Sequence, residues 1–110
     1  MNSLHQNLAS GAWQKLSLYE QMGNIGTEVG RVIRAKNRRD KDSEKNAIDR
    51  ALELFDLTIS DPKRKKQLKE ITRAREVFLD SLEKSPGYKS DLSEVDKYFM
   101  QFAIAARLHR

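Results

Sequence analysis

The chain has 110 residues, of which 38% are hydrophobic, 34% are charged and none is cysteine. That is enough for one domain with a modest core, and it excludes disulfides, thiolate metal sites and thiol nucleophiles. Its net charge of +5 is uneven: residues 31–75 hold fifteen of the 21 basic residues and eight of the 16 acids, leaving the remainder slightly acidic.

Five glycines and two prolines offer little material for the tight turns of an all-β fold. No apolar run approaches the roughly 18 residues of a membrane span. Residues 1–8 lack the basic and apolar regions of a signal peptide, so a cytoplasmic setting is expected.

Four helices are predicted in chain order. The first covers residues 10–36 and starts at Ser10 as N-cap. Trp13, Leu16, Tyr19, Met22, Ile25, Val29, Val32 and Ile33 recur along it at helical spacing. A polar connection at residues 37–41 leads to the second helix, residues 43–60. Ile48, Ala51, Leu52, Phe55 and Ile59 form its stripe, which Ala47, Leu54 and Leu57 widen. Asp61-Pro62 starts the third helix, residues 62–84, because proline fits the first helical position, where its missing N–H would be unpaired anyway. Ser85-Pro86-Gly87-Tyr88 reads as a loop. Asp91 and Glu94 form a capping-box pattern before the fourth helix, residues 92–108, whose Leu92, Val95, Phe99, Phe102 and Ala106 make a heptad-like seam. Short connections favour antiparallel neighbours, so the expected fold is an all-α, antiparallel, up-down-up-down four-helix bundle.

Two basic clusters stand out. Arg31, Arg34, Lys36, Arg38, Arg39 and Lys41 crowd the end of the first helix. Arg31, Arg34 and Arg38 share a face, and arginine presents a planar fork of donors suited to phosphate. Lys63, Arg64, Lys65 and Lys66, continued by Lys69 and Arg73, sit at a helix N-terminus, where the macrodipole disfavours cations. A solvated surface accounts for either cluster alone. Together they point to a polyanionic partner, RNA or DNA, contacted at its phosphates. The bundle expectation sets them at opposite ends.

Gly23, Gly26 and Gly30 lie on one face of the first helix, each at a cost of about 1 kcal/mol relative to alanine. They predict close approach by another helix, either in this chain or in another subunit of a homo-oligomer. No Gly-Lys-Ser/Thr follows, so this is not a phosphate loop. The aromatic residues Trp13, Phe55, Phe78, Phe99 and Phe102 fall on apolar stripes and read as core. No catalytic constellation is present. His5 and His109 are the two histidines, no Glu-x-x-His or His-x-x-x-His pair occurs, and no metal or cofactor is implied. The function expected from the residues is therefore non-enzymatic binding of nucleic acid through basic helix ends. The alternative is a protein-interaction module or self-assembling helical scaffold that binds no nucleic acid.

Three stretches bear a family resemblance: Trp13-Gln14-Lys15, Asn24-Ile25-Gly26-Thr27-Glu28-Val29-Gly30-Arg31 and Ala51-Leu52-Glu53-Leu54. They resemble elements of the small basic four-helix-bundle proteins of the ribosomal-RNA intervening-sequence type and of the accessory variability proteins of diversity-generating retroelements. The resemblance implies a homo-oligomeric barrel of bundles that binds a reverse transcriptase and its RNA or DNA and has no catalysis of its own. It carries over Arg31 alone. Every other basic residue named rests on charge and spacing.

Overall fold

In a computed structural model, the chain is described over residues 11–82 and 89–108, with side chains of the last helix described from Val95 onward. Among the described residues the fold is all-α, with four long helices and no strand. They are α1 (Leu18–Asn37), α2 (Lys41–Ile59), α3 (Leu68–Leu82) and α4 (Lys89–Leu108).

The first helix begins later than the apolar pattern predicts. Trp13–Lys15 is a separate 3-10 turn, and Leu16 and Ser17 are extended. Ser17 then caps α1. Its hydroxyl accepts from the Glu20 N–H at 3.1 Å, and the Glu20 carboxylate accepts from the Ser17 N–H at 3.0 Å. This Ser-x-x-Glu box satisfies two end donors reciprocally, and it outweighs the apolar spacing that runs through Trp13 and Leu16. The expected cap, Ser10, lies outside the described residues.

α1 ends at Asn37. The Asp40 N–H reaches back to the Ala35 carbonyl at 2.9 Å, the longer bond of a Schellman-type stop. Arg39 takes the left-handed position with φ 58°. Asp40 caps α2 two residues earlier than expected, accepting from the Ser43 N–H at 3.1 Å and the Ser43 hydroxyl at 2.7 Å. Asp61-Pro62 does start the third segment, with Asp61 accepting from the Lys63 N–H at 3.0 Å. Its first six residues, Pro62–Gln67, form a 3-10 helix before α3 proper. α4 starts at Lys89, ahead of the expected Asp91 cap. The Ser85–Tyr88 loop and the Asp91 and Glu94 side chains lie outside what is described.

α1 packs against both α2 and α4, and α3 packs against the same two helices. All four contribute to one core: Ile25, Val29 and Val32 from α1, Ala51, Leu54 and Phe55 from α2, Ile71, Ala74 and Phe78 from α3, and Val95 and Phe99 from α4. Phe55 is its centre, with ring centroids 6.2 Å from Phe78 and 5.9 Å from Phe99.

The glycine face of α1 is covered by α4 of the same chain. A Cβ built on Gly26 would lie 2.7 Å from the Phe99 Cβ, and one on Gly23 would lie 3.3 Å from the Ala103 Cα. At Gly30 the nearest atoms would be the tips of Arg34 and Asp96, at 3.2 and 3.5 Å.

Trp13 is 1% exposed and joins the same core from outside the four helices. Its indole N–H donates to the Thr58 hydroxyl at 2.9 Å, and that hydroxyl donates to the Leu54 carbonyl at 2.8 Å. The Trp13 indole N–H and the Thr58 hydroxyl, both buried, thus each have a partner, as burial requires.

Candidate nucleic-acid interface

The turn between α1 and α2 sets the first basic cluster against the opening of α2. Arg31 and Arg34 lie on α1, and Arg38 follows at its C-cap. Ser43, Asn46 and Arg50 follow one another on α2. Between these rows lies a cleft of about 360 Å³, with buried Ala47 also in its lining. Four arginines, one hydroxyl and one amide thus surround a polar cavity, and each offers N–H or O–H donors.

The four arginines are not equally free. Arg31 Nη1 donates to Glu28 Oε2 at 2.8 Å, and the Glu28 side chain is only 7% exposed. Its other oxygen, Oε1, is buried without a hydrogen-bond partner among the described residues. Arg31 therefore neutralises a buried carboxylate as well as lining the cleft. Arg38 lies 3.5 Å from Asp40. The two hydrogen bonds from Ser43, assisted by Arg38, hold the Asp40 carboxyl below its usual range, so it stays ionised as the α2 cap. Arg34 and Arg50 form no ion pair with a carboxylate among the described residues.

Guanidiniums spaced three and four residues apart on one helix repel one another. An arginine row facing another arginine across a turn adds to that. A phosphate placed between the rows would relieve the repulsion and meet several charge-assisted donors at once. Lys36, Arg39 and Lys41 are exposed around this turn but do not line the cleft. They widen the positive field without shaping a pocket. Arg50, Ser43 and Asn46 are cleft residues that sequence reading missed. Their 3- and 4-residue spacing on α2 was the available signal, but only the turn geometry shows which face of α2 meets the α1 arginines.

The second cluster divides into two groups with different surroundings. Arg64 Nε donates to the Gln21 side-chain oxygen at 2.8 Å, and its Nη2 donates to the Leu16 carbonyl at 2.9 Å. Gln21 is fully buried and donates in turn to the Trp13 carbonyl at 3.0 Å. The Lys63 ammonium donates to the Gln14 carbonyl. These two cations fasten the segment before α1 to the start of the third helical segment. Lys65, Lys69 and Arg73 instead face a groove along α3, and Lys66 is exposed beside it.

Among the described residues no group of three or more histidines, aspartates and glutamates could hold a metal ion, and no helix is long and apolar enough to cross a membrane. No protein-family model, curated protein or solved structure matches the chain.

Proposed function

We propose that this protein is a non-enzymatic, cytoplasmic nucleic-acid-binding protein that holds phosphates in the α1–α2 arginine cleft. The observation that carries this reading is the convergence of Arg31, Arg34, Arg38 and Arg50 on one small polar cavity, with Arg34 and Arg50 unpaired among the described residues. In the up-down-up-down arrangement proposed for the bundle, the cleft opens at one end, where Lys36, Arg39 and Lys41 extend its field along a polyanion. Phosphate contacts of this kind position a strand without reading its sequence, so binding is sequence-tolerant and steeply salt-dependent. RNA and DNA both supply the required chemistry. The resemblance to accessory variability proteins adds a reverse transcriptase as the partner class and an accessory role on its nucleic acid.

The test is a fluorescence-anisotropy titration of labelled RNA and DNA at low salt. Binding by the native chain and its loss in the triple variant R34E/R38E/R50E are expected, with helical content retained. Absence of binding by the native chain, or undiminished binding by the variant, contradicts the proposal.

A further inference from the structure

The groove along α3 has a symmetry of its own, unrelated to the arginine cleft. Its volume is about 780 Å³, and eight residues line it. They fall into four pairs placed symmetrically about a point between Thr72 and Arg73: Lys65 with Asp80, Leu68 with Val77, Lys69 with Glu76, and Thr72 with Arg73. In each outer pair a cation is matched with an anion, and in the apolar pair leucine is matched with valine. Leu68 and Val77 are 37% and 41% exposed and place apolar surface between the charged pairs.

Within one chain this order is unfavourable. The basic residues occupy the N-terminal half and the acids the C-terminal half, against the preference of the helix macrodipole. Lys69 with Arg73, and Glu76 with Asp80, are like charges at i,i+4 spacing. Among the described residues none of these side chains has an ion-pair partner.

We infer that this face binds a second copy of the chain, with the two α3 helices antiparallel across a two-fold axis near Thr72. An isologous interface requires a self-complementary surface, in which residue i meets j and j meets i. The α3 groove meets that condition at every pair. Lys65 and Lys69 of one copy face Asp80 and Glu76 of the other, and Leu68 packs on Val77 twice. Arg73, beside the axis, can turn its long stem to Glu76 of either copy. The contact spans about 24 Å from Lys65 to Asp80, at about 2.0 Å per residue through the 3-10 turn and 1.5 Å per residue along α3. That is a modest interface, so self-association depends on concentration and weakens with salt. It assigns Lys65, Lys69 and Arg73 to a protein partner and leaves the α1–α2 cleft to phosphate.

Sedimentation velocity on the full chain, over a range of protein and salt concentrations, tests the assignment. The native chain should pass from monomer to dimer as concentration rises. Lys69→Glu or Glu76→Lys alone should weaken the dimer by about tenfold, since each sets like charges opposite one another twice. The double variant K69E/E76K should restore it, because the swap rebuilds both pairs with reversed sign. The chain has no cysteine, which allows a second measurement. Under mild oxidation Thr72→Cys should cross-link two copies, and Asp80→Cys, about 22 Å from its mate, should not. A native chain that remains monomeric throughout, a double variant that stays dissociated, or cross-linking by Asp80→Cys rather than Thr72→Cys would overturn the inference.

Discussion

Arg64 sits within 2.9 Å of two acceptors on the far side of the sequence, whereas Arg34 and Arg50 face a cleft shared with other arginines. The same side chain is therefore structural in one place and available in the other, and charge alone does not separate the two. Arg64→Ala would leave the buried Gln21 oxygen and the Leu16 carbonyl without their donor, a loss of about 2 kcal/mol for two such bonds. A urea melt should show that loss. Arg64→Lys should recover little of it, because an ammonium cannot address two acceptors from a rigid fork. Arg39 poses the opposite case. A left-handed backbone costs a non-glycine residue about 1 kcal/mol, and glycine is the usual occupant of this stop. Arg39→Gly should raise stability by about 0.5–1 kcal/mol on the same scale while weakening binding of RNA, since it removes a cation from the rim of the cleft. Strain at an exposed cation, 58° in φ, is the kind of local cost that accompanies function.

At the scale of elements, the approach of α1 and α4 sets the strictest limit on substitution. Gly26→Ala would gain about 1 kcal/mol of helix propensity. It would also place a methyl 2.7 Å from the Phe99 Cβ, an atom fixed to the α4 backbone. Forcing packed helices apart typically costs 1–3 kcal/mol, so a thermal melt should show net destabilisation. Gly23→Ala, with its closest contact at 3.3 Å, should be milder. The existence of four helices was legible from apolar periodicity, and so was the demand of the glycine face for a close neighbour. The identity of that neighbour was not, because helical spacing says what a face needs and not which element supplies it. The start of α1 was misplaced for a related reason. Trp13 and Leu16 continue the apolar spacing of α1, yet Trp13 reaches Thr58 from a separate turn, a long-range bond that no local pattern encodes. Likewise Arg50 lies nineteen residues beyond Arg31 in sequence and meets it only because the Arg39 turn folds α2 back along α1.

For the whole molecule, three groups within the charge surplus of residues 31–75 have distinct surroundings. One lines the α1–α2 cleft, one fastens the segment before α1, and one faces the α3 groove. The central claim is that the first group holds nucleic acid. Its most direct measurement is the dependence of binding on salt, because the slope of log K against log salt counts the phosphates contacted, at about 0.9 per contact on duplex DNA. The double variant R34A/R50A should lower that slope by about 2 and weaken binding to all sequences alike, with the urea midpoint little changed. The variant K65A/K69A, on the α3 groove, should leave the slope where it is. A slope that is unchanged by the first variant and reduced by the second would place the phosphates on α3 and contradict the account.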